Sequence, residues 1–285
     1  MRSSITAPCG DAAPFLISCI ASCHTLLRVT DHQERATSFG SIAEDYDGLR
    51  PQPPQQAVDW LVPPHCGVAV DLGAGTGLFT RILVDSAAEV VAVEPDPRMR
   101  AVLTERSPEV RGVEGTGESI PLPDQSADAV FVSSAWHWMD PQRAVPEIGR
   151  VLRDGGRFGL IWTSRDRDVG WVRDLDLVPG EDTPEAESPD RFHRRHENVV
   201  LPDPQIFRNV ARETFTFVRT MSIGDVVAMV GTYSRVIIAA SDERAQRLAN
   251  ARATLNKRFP EAEAVDVPMK SRCWRADRIP RGAER

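Results

Sequence analysis

Short apolar runs recur through the middle of the chain, several of them closed by an acidic or small polar residue. Val68–Leu72, Val90–Glu94, Val110–Glu114, Ala127–Ser133 and Phe158–Trp162 are such runs, and each predicts a strand. Between them lie segments with apolar residues every three or four positions, such as Leu78, Phe79, Ile82 and Leu83, which predict helices. Strand and helix in alternation predict a parallel sheet with helices on both faces. The nearly unbroken Ala127-Asp128-Ala129-Val130-Phe131-Val132 suits a strand buried on both sides.

The flanks follow the same logic. Ala36 to Tyr46 predicts a short helix stopped by Gly48 and the prolines Pro51, Pro53 and Pro54. Gln55 to Leu61 predicts a second helix, ended by Pro63-Pro64. Asp140-Pro141 is a helix start, with Asp as N-cap and Pro at the first helical position, and Pro146 should bend the helix. Asp154-Gly155-Gly156 is the turn expected to stop it. Beyond Trp162 the pattern weakens. Asp166 to Arg191 is charged and proline-bearing and predicts a loop or lid. Glu213–Thr220 and Val265–Trp274 predict strands, and Ile223–Ile238 and Asp242–Phe259 predict helices.

Chemistry concentrates where the first strand ends, at Asp71-Leu72-Gly73-Ala74-Gly75-Thr76-Gly77. Glycines at alternate positions let the backbone turn sharply and approach a ligand closely. Because the turn opens a helix, unpaired amides are expected to face that ligand, as at a nucleotide-cofactor site. Glu94 ends the next strand about 20 residues further on, the distance at which a carboxylate reaches ribose hydroxyls. Pyrophosphate cofactors favour G-x-G-x-x-G; here the spacing is G-x-G-x-G with Asp71 beside it. A carboxylate there repels a pyrophosphate and tolerates an ammonium or sulfonium, which favours S-adenosylmethionine over NAD.

These motifs resemble the class I S-adenosylmethionine-dependent methyltransferases, in particular the small-molecule enzymes with the type 11 core, which include trans-aconitate methyltransferase-like proteins. Phe39 to Pro51 is similar to the family's lead-in helix, Asp71 to Gly77 to its first motif and Val91 to Pro95 to its second. Gly115 to Pro123 resembles the loop after its third strand, Ala127 to Asp140 its fourth strand and turn, and Arg150 to Phe158 the passage into its fifth strand. The resemblance is dense from Phe39 to Trp162 and loose afterwards. It implies a Rossmann-like, doubly wound, mostly parallel seven-stranded α/β sheet with an antiparallel edge hairpin and a helical cover. Residues 1–34 would be an extension, 35–165 the cofactor-binding core, and 166–285 the lid, cover helices and last two strands of the same domain.

The resemblance also implies roles. Asp71, Gly73, Ala74 and Gly75 would line the methionine end of the cofactor, Glu94 and Pro95 the ribose, and Thr116, Gly117 and Glu118 the adenine. Ser133 and Ser134 would complete the cofactor site at the exit of the fourth strand. Tyr46 and Arg50 would reach the cofactor carboxylate, since a guanidinium pairs bidentately with that group. Each has a plainer reading: a tight turn for the glycines, a solvated strand end for Glu94, a capped loop for Thr116–Glu118, a surface side chain for Arg50. Trp136-His137-Trp138 is an aromatic cluster at the mouth of the site. Either it packs the turn, or His137 serves as base and Trp136 and Trp138 line the substrate pocket. Phe192 to His196 is basic and aromatic: it could meet an acidic substrate, and its plainer reading is a solvated loop; Arg272, Trp274 and Arg275 are expected on an edge strand.

Composition narrows the partners. The 285 residues carry a net charge of -7, which argues against a general nucleic-acid binder. Lys257 and Lys270 are the lysines; arginine supplies the other basic side chains, a compositional bias rather than a mechanism. Five cysteines, Cys9, Cys19, Cys23, Cys66 and Cys273, form no metal-ligand pattern and fit a reduced cytoplasm, with no metal expected. Ala12 to Leu27 is apolar, superficially like a signal peptide but too short for a membrane span. The first 34 residues are therefore expected to be a disordered or over-annotated extension. The expectation is a cytoplasmic enzyme, monomer or homodimer, that acts on a small molecule without nucleic-acid or membrane partners. The rivals are a nicotinamide oxidoreductase of the same fold type, disfavoured by the glycine spacing and the lack of a Tyr-x-x-x-Lys pair, and a non-catalytic cofactor-binding protein.

Overall fold

The computed structural model describes residues 48–175, 203–237 and 239–282. The predicted helix Ala36–Tyr46, Tyr46 itself and Phe192–His196 lie outside the described residues. In chain order the elements are α1 Gln55–Leu61, β1 Cys66–Leu72, α2 Leu78–Val84, β2 Ala87–Val93, α3 Pro97–Arg106, β3 Arg111–Val113, β4 Ala127–Ser133, α4 Pro141–Val151 and β5 Leu152–Arg165. Then follow α5 Gly170–Asp174, β6 Phe207–Ser222, α6 Ile223–Gly231, α7 Ser234–Ile237, α8 Ser241–Arg258 and β7 Ala264–Arg278.

The seven strands form one sheet in the order β3-β2-β1-β4-β5-β7-β6. The pairs from β3 to β5 are parallel; β7 runs antiparallel to both β5 and β6. The chain winds one way from β1 to β3 and the other way from β4 onward, so strand order reverses between β1 and β4. That reversal opens a crevice at the carboxyl ends of these two strands, where open α/β sheets take their ligands.

Both faces of the sheet are covered. On one side Val70, Val130, Val132, Phe158 and Leu160 pack with Trp136, Val145 and Ile148 from the turn after β4 and from α4. On the other, Ala69, Ala129, Phe131 and Ile161 pack with Val58 and Leu61 of α1 and Phe79 and Leu83 of α2. A third apolar cluster sits on the projecting ends of β5, β6 and β7. It joins Met221, Val267 and Met269 to Val226, Met229 and Val230 of α6, Leu255 of α8 and Leu175. This cluster is the helical cover.

Local signals fix several boundaries. The Asp140 side chain accepts from Gln142 N with Pro141 at the first position, as expected, and α4 runs through Pro146. It ends at Val151, earlier than the Asp154-Gly155-Gly156 turn, because Leu152 already pairs with Ala127. The long strands exceed their predicted lengths: β5 continues to Arg165, held by β7 from Arg157↔Asp277 to Arg165↔Met269. Charged residues interrupt its apolar pattern, but pairing rather than burial sustains the strand there. The segment predicted as one helix, Ile223–Ile238, breaks at Thr232, whose hydroxyl donates to Met229 O at 2.7 Å. Gly170–Asp174, predicted as loop, is a helical turn because Val172 and Leu175 are buried at the cover. The last strand, β7, was expected to place Arg272, Trp274 and Arg275 on an edge; instead it lies between β5 and β6, and Arg272 and Trp274 are buried.

Candidate active site

The glycine turn closes over the crevice between β1 and β4. Gly73 and Gly75 have φ of 72° and 59°, backbone that disfavours other residues. A Cβ on Gly73 would come within 2.8 Å of Ala135 Cβ and 3.3 Å of Met139 Cε, so this glycine is there for close packing. A Cβ on Gly75 would meet nothing within 4 Å. Gly75 therefore borders open space at the crevice.

The first amides of the turn have partners within the protein. Gly73 N and Ala74 N donate to Val93 O at 2.8 and 3.1 Å, and Gly75 N donates to Glu94 Oε2 at 2.8 Å. The first turn of α2 follows a left-handed Gly77 with no side-chain cap.

Glu94, at the exit of β2, is 7% exposed. Its Oε1 accepts from Asp96 N and its Oε2 from Gly75 N, both at 2.8 Å. A carboxylate has about four acceptor sites, so roughly two remain for a ligand's hydroxyls. Burial pushes the Glu94 carboxyl above its ordinary value; the two backbone amides pull against that. Pro95 beside it is exposed, and its carbonyl accepts from Arg100.

Asp71 is fully buried beneath the turn. Its Oδ2 accepts from the Thr80 hydroxyl at 2.6 Å, while its Oδ1 has no hydrogen-bond partner among the described residues. Desolvation, aided by the nearby Glu94 charge, raises the carboxyl from 3.8 to about 7. A carboxyl whose folded pKa lies above its unfolded one binds more protons in the native state between those values. Its neutral form is favoured at low pH, and native stability falls as pH rises from about 4 to about 7. Asp71→Asn cannot titrate. It is expected to gain thermal stability over the wild type at pH 8 relative to pH 5, by about 1 kcal/mol or more, roughly 2–4 °C at this chain length. Melting curves across that range check it, and a pH-independent difference would refute the buried charge.

Across the crevice, Thr116 and Ser119 exchange backbone bonds at 3.2 Å in a tight turn. Glu118 Oε1 accepts from Asp140 N at 2.7 Å, which anchors this loop to the start of α4. Gly117 lies against Met139, whose Sδ is 2.5 Å from where a Cβ would stand. Met139, not anticipated from sequence, thus wedges between Gly73 and Gly117 and joins the two loops. Ser133 closes β4, and Ser134 adopts a φ of 55° while its N donates to Ile161 O at 2.8 Å. Strained backbone of this kind at a strand exit accompanies ligand sites.

The aromatic cluster divides. Trp136 was expected in the substrate pocket, but it is buried in the core with its ring 5.5 Å from Phe158. The apolar mass of the indole favours that position over the crevice. His137 is exposed and lies against Trp138, ring centroids 4.4 Å apart. Arg50 donates to Thr232 O at 2.9 Å and stacks on Tyr233, 4.5 Å from the ring centroid, so it is placed with the cover. Among the described residues no group of three or more His, Cys, Asp or Glu could hold a metal ion, and no helix is long and apolar enough to cross a membrane.

An open sheet with its strand order reversed over an acid-flanked glycine turn defines the Rossmann-like cofactor-binding class. The orphaned Asp71 oxygen, the open space at Gly75 and the spare acceptors of Glu94 fit a cofactor with a cationic end and a ribose. A methyltransferase-domain family model matches residues 70–160. An uncharacterized methyltransferase of Mycobacterium tuberculosis is 38% identical over 86% of this chain and 97% of its own length. An uncharacterized methyltransferase-like protein of Schizosaccharomyces pombe is 35% identical over 53% of this chain and 61% of its own. The solved structure of a candidate type II methyltransferase from Anaeromyxobacter dehalogenans superimposes with a TM-score of 0.63, at 25% identity over 81% of this chain and 99% of that one. The chain belongs to the class I S-adenosylmethionine-dependent methyltransferases.

Proposed function

We propose that the protein transfers the methyl group of S-adenosylmethionine to a small-molecule acceptor, with oxygen the first-choice nucleophile and nitrogen or carbon behind it. The observation that carries this reading is the pairing of the unpartnered, buried Asp71 oxygen with the open space at Gly75, bridged by Glu94. Bound there, the cofactor supplies an activated methyl on a sulfonium, which needs alignment and exclusion of water more than acid assistance.

The chain's residues would divide this work. Asp71 meets the cationic end, with Gly73, Ala74 and Gly75 shaping the wall around it. Glu94, with Pro95, takes the ribose hydroxyls. Thr116, Gly117 and Glu118 flank the adenine, with Met139 as floor. Ser133 and Ser134 form the side nearest β5. His137 and Trp138 stand at the rim, where an imidazole can accept a proton from an acceptor that arrives protonated. The reading includes a cytoplasmic protein, monomer or homodimer, without nucleic-acid or membrane partners, in keeping with its net charge of -7.

Calorimetry with S-adenosylmethionine, S-adenosylhomocysteine and NAD tests it. Binding of the first two without the third is expected, followed by a methyl-transfer product when metabolite extracts are supplied. Binding of NAD alone would overturn the reading.

A further inference from the structure

Among the described residues the sheet ends in a strand that is paired along one side alone. β6 is 16 residues long and lies outermost beside β7, whereas the opposite margin, β3, has three residues. An open edge of that length presents a row of unpaired backbone N–H and C=O groups, which proteins cover or interrupt. Among the described residues the exposed large apolar side chains are Val210 and Val218, at 53% and 60%, and both stand on this strand. Two features bound its regular part. Asn209 and Val210 together oppose Ala276 in a bulge, and Ser222 already caps α6. Between them Ala211–Met221 keeps an unbroken register with β7, and the midpoint of that stretch is Thr216.

We propose that β6 pairs antiparallel with β6 of a second copy of this chain, about a two-fold axis at Thr216, so that two seven-stranded sheets join into one. The charges fix the register. Directly opposed residues of an antiparallel pair project from the same face, and a two-fold axis across the pair therefore joins odd positions to odd and even to even. β6 carries one acid, Glu213, and three arginines, Arg208, Arg212 and Arg219. Of the three, Arg219 shares the face of Glu213. Setting these two opposite each other puts the axis at Thr216, the midpoint of the regular stretch. Glu213 is exposed, and neither it nor Arg219 forms an ion pair among the described residues. The same register sets Phe215 opposite Phe217 and Val218 opposite Thr214, each twice, and Thr216 opposite itself. Aromatic, β-branched and opposite-charge pairs are the ones that stabilise neighbouring strands, and no arginine meets an arginine. The axis stands normal to the sheet, about four strand spacings or roughly 19 Å from each crevice, and it turns the two crevices toward opposite ends. Both sites stay open, so the proposal is independent of the reaction.

Sedimentation equilibrium of the full chain tests the pairing. Eleven residues a side is fewer than the roughly 20–30 of a standard interface, so dissociation in the micromolar range is expected. The mass should rise from 31.5 kDa toward twice that between about 1 and 200 μM. Glu213→Arg sets arginine against arginine at two places and should weaken the dimer about tenfold or more. Arg219 also donates to the carbonyls of Leu49 and Arg50, so it is left in place. Thr216→Cys reads the register itself. At the axis the two Cα atoms of an opposed pair lie about 4.5–5.5 Å apart, within reach of a disulfide. With oxidised glutathione the two introduced thiols should join, identified by mass spectrometry of the cleaved protein. In Thr220→Cys the introduced thiols should not join, because Thr220 faces Arg212 and the two copies of position 220 are far apart along the strand. A monomer at every concentration would leave the edge to a different partner and overturn the proposal. A dimer that Glu213→Arg leaves unchanged, or a link in Thr220→Cys without one in Thr216→Cys, would overturn it as well.

Discussion

Gly75→Val is expected to abolish cofactor binding while leaving the protein folded. At Gly75 the backbone has a φ of 59° and the missing Cβ faces open space at the crevice. A valine there incurs two separate costs. The left-handed backbone strains a β-branched residue by about 1–3 kcal/mol of stability. The isopropyl group also fills the space the cofactor needs, which should lower affinity at least about 100-fold, roughly 3 kcal/mol. Gly155 separates the two. It has a φ of 76°, equally open surroundings, and a place near the start of β5, at the end of the strand away from the crevice. Gly155→Ala should lose stability without losing affinity. Calorimetry with S-adenosylhomocysteine on both folded variants decides; unchanged affinity in Gly75→Val would remove this turn from the site.

The second large effect is expected at Glu94. In Glu94→Gln one oxygen remains, and an amide N–H₂ replaces the other, facing either Gly75 N or Asp96 N. Two donors then oppose each other, and an acceptor for the ribose is gone. Cofactor affinity should fall by about 1–3 kcal/mol, about 5- to 150-fold. Adenosine should lose a similar factor and free methionine much less, because only adenosine carries the ribose. Measured affinity at the wild-type level would reduce Glu94 to a brace for the turn.

The parallel half of the fold was legible because its constraints are local. Val68–Leu72 and Ala127–Ser133 are apolar apart from Asp71, Asp128 and the closing Ser133, and a glycine turn or a capped helix follows each. The antiparallel half was legible only in part. The lengths of β5, β6 and β7 are set by partners about 40 to 120 residues away, as in Ser222↔Ala264 and Arg157↔Asp277, and charged residues on the exposed rungs hide the alternation. Trp136 and Trp138 look equivalent in sequence, yet the short helical turn at Trp136–Trp138 sends one into the core and leaves the other at the rim. Arg165 and Arg167 stand together at the end of β5 while Tyr233 follows α6, and the break at Thr232 places the phenol beside them.

The burial of Asp71 carries a consequence for the energetics of ligand capture. With its carboxyl poised near neutrality, the pocket exists at pH 7 as a mixture of protonated and ionised forms. A cationic ligand selects the ionised form, so its capture should expel a fraction of a proton into solvent. The measured heat would then depend on the ionisation enthalpy of the buffer, differing between phosphate and Tris at the same pH. Acidification would loosen the complex well above the range where ordinary carboxylates titrate. Proton exchange with the medium thus becomes a signature of the ligand's own charge.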